Sequence, residues 1–176
     1  GFKMISFEVP SLPADLADKY SRAIADHLTE CAEIAKSYVE KSIESGEEIN
    51  GGRFAPLSDV TIKVRELRGG GGSKPLIDSG NLLGSISVDD AYSADGEASV
   101  NLGAEYGQYQ NEGYYVGTDF RAGGEFFKVK GTSVPSREFW GTPDDFFERP
   151  EYKKSYSNLD KKIQKILSQY PIERFG

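Results

Sequence analysis

The chain of 176 residues has an ordinary globular composition, with 28% charged and 38% apolar residues, and its net charge is −7. This length fits a single domain, residues 1–176, that can bury its own core. The negative charge argues against a protein that grips nucleic acid, because such binding depends on neutralising phosphates. We expect no membrane association, since no apolar run approaches the roughly 18 residues that span a bilayer. Residues 1–4 are not followed by the apolar region of a signal peptide, so we expect none.

A long amphipathic helix is predicted over residues 14–45, after an N-terminal arm over residues 1–12. Its apolar residues recur at spacings of three and four, as one face of a helix requires, and Gly46 ends it. At 1.5 Å per residue the helix is about 48 Å long, which is more than a small domain covers. We therefore expect part of its apolar stripe to meet a neighbouring subunit, with Tyr20 and Tyr38 as interface residues.

The chain has one cysteine and one histidine, Cys31 and His27, and both lie on this helix. Cys31 falls on the apolar stripe, where we expect a buried, inert thiol, and a lone cysteine fits assembly in a reducing cytoplasm. His27 flanks the stripe, where packing or partial exposure is expected. A serine triad needs a histidine beside a nucleophile, and no pattern places His27 there. One Cys and one His also argue against zinc. We expect no enzyme, no cofactor and no metal.

A second, shorter helix is predicted from the Ser58-Asp59 cap to about Leu67. Residues 69–74 follow it as a flexible glycine-rich loop. This loop is not a phosphate-binding loop, because Lys74 is followed by Pro75, which has no backbone N–H to donate.

Strands are predicted next, in two antiparallel pairs. Residues 86–92 and 98–102 alternate in polarity around a turn at 94–96, as in a hairpin. Residues 114–118 and 125–130 are expected to form the second pair. An extended segment, Pro135 to Phe139, and a C-terminal amphipathic helix over 151–170 complete the chain. The order predicts an α+β fold, with a long N-terminal helix and a C-terminal helix packed on a small antiparallel sheet.

The charge is unevenly distributed. No lysine or arginine occurs from Pro75 to Phe120, a stretch with eight acidic residues. One interpretation is a solvated acidic surface. The other is a face turned toward a basic partner or toward passing DNA.

Three short blocks stand out, and each combines a structural signal with exposed or anchoring side chains. Residues 75–86 (PLIDSGNLLGSI) indicate an Asp/Ser cap, one helical turn and a strand. Residues 105–113 (EYGQYQNEG) indicate a short amphipathic turn. Residues 134–141 (VPSREFWG) indicate a proline-led extended segment. The second block presents Tyr106, Tyr109 and Gln110, and the third ends in the predicted core anchor Phe139 and Trp140.

In this order and at these spacings, after the long helix and residues 54–61 (FAPLSDVT), the blocks resemble the virion morphogenesis, or tail completion, family of tailed bacteriophages. The resemblance covers roughly residues 14–141. It implies a non-enzymatic α+β subunit of the ring that joins a tail tube to the head connector. It also implies that residues 106–113 pack at the subunit seam, and that residues 135–140 hold the last strand to the core.

The resemblance further implies a hexameric ring that matches a six-fold tail tube and sits in the tail or neck of the virion after assembly in the host cytoplasm. Its partners would be the head connector or head-closure protein, and the tail tube or terminator protein. DNA would pass through without specific binding. Because an acidic lining avoids binding DNA, the stretch without lysine and arginine predicts that Asp89, Asp90, Asp95 and Glu97 line the lumen. A tail terminator ring is a near alternative, and a small non-viral binding module is a more distant one.

Overall fold

The computed structural model describes residues 14–92 and 96–170, whose fold is α+β, as the sequence predicts. These residues form five α-helices, three pairs of short antiparallel strands and one 3-10 turn at Phe146–Glu148. The helices are α1 Ala14–Ser45, α2 Asp59–Leu67, α3 Asn81–Gly84, α4 Tyr106–Glu112 and α5 Pro150–Ser168. The strands are β1 Ile86–Asp89, β2 Ser99–Leu102, β3 Tyr114–Tyr115, β4 Phe120–Ala122, β5 Glu125–Phe127 and β6 Ser133–Val134. The predicted arm over residues 1–12 lies outside the described residues.

Local signals place the helix ends where the sequence predicts them. Helix α1 has the predicted bounds. Ser58 caps α2, since its hydroxyl oxygen accepts the backbone N–H of Thr61 at 3.2 Å. Helix α5 begins with Pro150, which lacks the N–H that a first turn leaves unpaired. It ends at Ser168, two residues before the predicted end.

Helix α5 lies antiparallel along α1. Near its start, the Tyr38 hydroxyl donates to the Glu151 carboxylate at 2.8 Å. Near its end, the Lys19 ammonium donates to the Gln169 side-chain oxygen at 3.2 Å. Helix α1 is therefore covered within the chain over much of its length. Its length alone no longer argues for a neighbouring subunit, because the amphipathic α5 supplies the partner that the apolar stripe requires.

Strands β1 and β2 form an antiparallel hairpin that packs on the middle of α1. The register runs from Ile86 opposite Leu102 to Asp89 opposite Ser99. Strand β1 is shorter than predicted because the chain then turns onto α1, where the Ala91 N–H donates to the Thr29 hydroxyl oxygen at 3.1 Å. Of the predicted turn at 94–96, residues 94 and 95 lie outside the described residues.

The predicted pairing of residues 114–118 with 125–130 is wrong. Strand β5 pairs with β4 instead, through a two-residue turn in which Gly123 and Gly124 have φ of 54° and 77°. Such a turn needs positive φ at both central residues, and glycine adopts it without steric cost. Strand β3 pairs with β6, with Tyr114 opposite Val134. The strands thus form three separate two-stranded ribbons rather than one sheet.

Two apolar clusters hold the elements together. The smaller cluster, between α2 and the β4–β5 ribbon, contains Val64, Ala122 and Phe127. The larger cluster joins the C-terminal end of α1 to the three sequence blocks and contains Val39, Ile43, Phe54, Leu76, Leu82, Ile86, Ala104 and Phe139.

None of the helices in 14–92 and 96–170 combines the length and apolarity needed to cross a bilayer.

Candidate interaction site

The three sequence blocks meet at one groove, which lies between the two apolar clusters and has a volume of about 960 Å³. Asp78 and Leu82 line it from the first block, Tyr106 and Gln110 from the second, and Arg137 from the third. Helix α2 forms the opposite wall. Segments that are far apart in the sequence therefore build a single concave surface, which we call the basic groove.

Arg65 of α2 forms part of the floor of the basic groove and is only 9% exposed. One of its terminal nitrogens donates to the carbonyl oxygens of Lys74 and Ile77 at 2.8 and 2.9 Å. Its Nε lies 3.9 Å from the Asp78 carboxylate. Arg65 thus fixes the end of the exposed glycine-rich loop against the first block.

Arg137 of the third block is 2% exposed and lies in the same floor. Its Nε and Nη2 donate to the carbonyl oxygens of Ala55 and Pro56 at 2.8 and 2.9 Å. Burial lowers the pKa of the Arg137 guanidinium; nearby Tyr114 acts in the opposite direction, and the charge of Arg65 contributes a smaller lowering. The ion pairs found among the described residues do not include Arg137. Its hydrogen bonds are satisfied by carbonyl groups, whereas its charge is not balanced by a contacting carboxylate.

The basic groove carries an excess of positive charge in a chain whose net charge is −7. Arg68 and Lys128 are exposed at its edges, and they add to the two buried arginines. Asp78 is the acidic residue among the lining residues. A concave, partly apolar surface with four cations and one carboxylate favours an anionic occupant.

Four exposed tyrosines lie on α4 and β3, and we call them the tyrosine rim: Tyr106 and Tyr114 line the groove, Tyr109 contacts Tyr114, and Tyr115 follows Tyr114 in β3. Tyr109 and Tyr115 are 61% and 76% exposed, and Tyr106 and Tyr114 are also exposed. The rings of Tyr109 and Tyr114 meet edge to face, with centroids 6.2 Å apart. Gln110 is half-buried, and its backbone carbonyl oxygen accepts a hydrogen bond from the backbone N–H of Arg137 at 3.0 Å. Exposed tyrosines at this density are typical of protein interfaces, because tyrosine buries area while keeping a polar tip.

The other two predicted interface tyrosines lie elsewhere. Tyr20 is half-buried on α1. Tyr38 makes its contacts within the chain: its ring packs on Phe146 with centroids 6.2 Å apart, beneath the Arg149 guanidinium. Tyr38 therefore belongs to the α1–α5 contact, and we do not include it in the interface proposed below.

The predicted lumen acids lie at the loop end of the β1–β2 hairpin. Asp89 and Asp90 are exposed, and each uses a carboxylate oxygen locally: Asp89 accepts from the Asn101 amide at 2.8 Å and Asp90 from the Tyr92 N–H at 3.0 Å. Glu97 is exposed as well. The fourth predicted acid, at position 95, lies outside the described residues.

The predicted core anchor, Phe139 and Trp140, lies beneath the groove. Phe139 is completely buried in the larger apolar cluster, and Trp140 is half-buried against it, with ring centroids 6.5 Å apart. The Trp140 N–H donates to the Asn111 side-chain oxygen at 3.0 Å, which ties the third block to the second. Neither ring is placed to form a ligand cage.

The sequence reasoning missed a polar contact at the α1–α5 interface. His27 Nδ1 lies 3.0 Å from the hydroxyl oxygen of buried Ser155, and that hydroxyl donates to the Glu30 carboxylate at 2.6 Å. The Ser155 hydroxyl donates its one hydrogen to Glu30, so it can only accept a hydrogen bond from His27. His27 is therefore a donor to Ser155 and not its base, which is the reverse of a serine triad. Burial raises the pKa of the Cys31 thiol nearby, which opposes thiolate formation. The available signal was spacing, because Ser155 falls on the α5 stripe, three residues after Tyr152.

Asp26 connects three elements and should make stability depend on pH. It accepts from the Tyr92 hydroxyl and pairs with Lys162 of α5 at 3.2 Å, and these contacts lower the pKa of its carboxyl. A lowered pKa in the folded state contributes stability above the unfolded value of about 4, which is lost as the pH falls through the folded value.

In thermal unfolding measured from pH 7 to pH 2, Asp26→Asn should therefore be less stable than wild type at neutral pH. The two proteins should converge at the acid end. Asp160→Asn, at an exposed position of α5, removes the same charge as a control. A constant difference between Asp26→Asn and wild type over the whole range would contradict the assignment.

Among the described residues, no group of three or more His, Cys, Asp or Glu side chains is arranged to hold a metal ion. The fold and the site together define an α+β protein that carries a concave basic groove with a tyrosine rim. Comparison of the chain with protein-family models, curated proteins and solved structures found no match.

Proposed function

We propose that this protein is a structural subunit of a phage neck, a tail completion protein whose ring joins the tail tube to the head connector and lets DNA pass. The observation that carries the proposal is the convergence of the three blocks. They resemble the tail completion family in sequence, and they build one groove that is lined by the exposed Tyr106 and Tyr114. The role we assign to them is binding, without a catalytic step.

Ring formation sets a physical requirement that these features can meet. A ring forms from a heterologous contact, in which two different surfaces of the same chain fit each other and the rotation closes. The basic groove, together with the tyrosine rim beside it, offers one of these two surfaces. We propose six copies, to match a six-fold tail tube, in contact with the head connector or head-closure protein on one side and the tail tube or terminator protein on the other.

The proposed setting is the neck of the virion, after assembly in the host cytoplasm. A tail terminator would also form a ring, but that ring would lie at the end of the tail tube. A reconstruction of particles that contain this chain would test the proposal directly. We expect a closed ring on the particle axis, next to the connector. A single copy away from the axis would exclude the proposal.

The tyrosine rim provides a mutational test. Replacing Tyr109 and Tyr115 with alanine should leave the fold intact, because both side chains are largely exposed. It should weaken ring or partner binding by about 10- to 1000-fold, if each residue contributes as interface tyrosines commonly do. The measurement is the fraction of heads joined to tails in micrographs of particles assembled with the variant.

The matched control replaces two exposed aromatic residues outside the groove, Phe126 and Phe147. This double variant should join heads to tails as the wild type does. Equal defects in both variants would indicate general loss of stability, and no defect in either would exclude the tyrosine rim from the interface.

A further inference from the structure

The basic groove has buried positive charge that the chain itself does not neutralise. Arg137 and Arg65 lie in its floor, and Asp78, 3.9 Å from Arg65, is the carboxylate among the lining residues. Withdrawing a guanidinium from water costs free energy unless an opposite charge compensates for it. A carboxylate that entered the groove would supply this compensation and would also meet the exposed cations Arg68 and Lys128.

The same chain presents carboxylates on a projecting surface. Asp89, Asp90 and Glu97 are exposed at the loop end of the β1–β2 hairpin, within the stretch that lacks lysine and arginine. We call these three residues the hairpin acids. Their charge is complementary to that of the basic groove.

The hairpin acids and the groove lie at opposite ends of the hairpin. The open end, with Ile86 opposite Leu102, belongs to the cluster that contains the groove-lining Leu82. Asp89 lies three residues further along β1, about 10 Å away at the rise of a strand. The chain then continues onto α1 near Thr29. The hairpin acids therefore point away from the groove of their own subunit, and only a second molecule can bring the two surfaces together.

We propose that the basic groove of one subunit binds the hairpin acids of the next copy, in a head-to-tail contact. This inference rests on the proposed ring function and names the two surfaces that would form the subunit seam. A second copy is the favoured occupant because one chain carries both complementary surfaces, displaced from each other, as a heterologous contact requires. The tyrosine rim, beside the groove, would surround the contact. The hairpin acids would then face a subunit rather than the DNA channel.

Charge reversal at each surface tests the contact in the full chain. The hairpin variant carries Asp89→Lys, Asp90→Lys and Glu97→Lys, and the groove variant carries Arg68→Glu and Lys128→Glu. All five positions are exposed, so the fold should be retained, which circular dichroism checks. Sedimentation velocity at low ionic strength should show that each variant alone self-associates at least about tenfold more weakly than the wild type.

An equimolar mixture of the two variants gives the decisive result. The lysines of the hairpin variant fit the glutamates of the groove variant, and the unaltered surfaces of the two variants fit each other. Alternating copies should therefore restore the assembly that neither variant forms alone. A control with Glu44→Lys, Asp144→Lys and Asp160→Lys changes the net charge as the hairpin variant does, at exposed positions elsewhere. It should associate as the wild type does.

The other outcomes contradict either the contact or the ring. If the wild type stays at its monomer mass of 19.4 kDa at the highest attainable concentration, or if the mixture fails to reassemble, the groove does not bind a second copy in this way. If the hairpin variant forms normal rings, these acids do not lie at the seam, and lining of the DNA channel becomes the alternative. The proposed ring function survives that result. Conversely, a rescued mixture that forms closed dimers or open filaments supports the contact and contradicts the ring.

Discussion

Phe139→Ala should destabilise the protein by about 3–5 kcal/mol, the usual cost of removing a buried phenylalanine side chain. The ring is completely buried where the C-terminal end of α1 meets the first and third blocks. Small domains have only about 5–15 kcal/mol of stability in total. We therefore expect a large fall in the denaturant midpoint, or insoluble protein. Phe147→Ala provides the control, because this ring is 66% exposed and its loss should change stability far less.

Trp140→Ala should be destabilising as well, but less so than Phe139→Ala, since Trp140 is half-buried. Soluble Trp140→Ala protein with unchanged melting and lost binding would instead assign this residue to the interface. The order of the two effects thus separates a core role from a binding role. Chemical denaturation of both variants under identical conditions measures this order.

Gly113→Ala should be the second strongly destabilising change. Gly113 joins α4 to β3 with φ of 80° and ψ of 162°, a conformation that is almost restricted to glycine. A methyl group there would lie 2.8 Å from the Val134 carbonyl oxygen and 2.8 Å from the Ser136 nitrogen. We expect a cost of about 1–3 kcal/mol from the backbone conformation and a similar amount from the steric clash.

Gly117→Ala is the matched control, because an added methyl group would contact no atom within 4 Å and the backbone there has no positive φ. Its denaturant midpoint should stay close to that of the wild type. Equal losses from the two substitutions would contradict the assignment of the effect to the backbone conformation of Gly113 and the approach of β6.

These two predictions concern the structure that holds the basic groove, whereas the rim and charge variants concern what it binds. Phe139 and Gly113 belong to the third and second blocks, and both lie close to the segment that places Arg137 in the groove floor. We therefore expect core variants to lose fold and binding together. Variants of the tyrosine rim or the hairpin acids should lose binding alone.

The sequence by itself determined the features that depend on neighbouring residues. The apolar spacing of α1, the Ser58 cap and Pro150 specify helices through contacts within a few residues, so their bounds and the α+β class could be read directly. The β1–β2 hairpin was also predictable, because its strands are close in the chain and alternate in polarity.

Tertiary structure decided what depends on residues that are far apart in the chain. The pairing of β3 with β6, rather than with the nearer β5, follows from the Gly123-Gly124 turn, which pairs β5 with β4. Helix α5 lies along α1 because the apolar stripes of the two helices pack together, and this packing also forms the Ser155–His27 contact. The sequence shows each stripe but does not show that they pack against each other. Arg65 and Arg137 are separated by 72 positions in the sequence. They form one groove floor only because the apolar clusters bring them together. The sequence shows which residues are charged, but tertiary packing determines which surface each charged side chain lies on and how deeply it is buried.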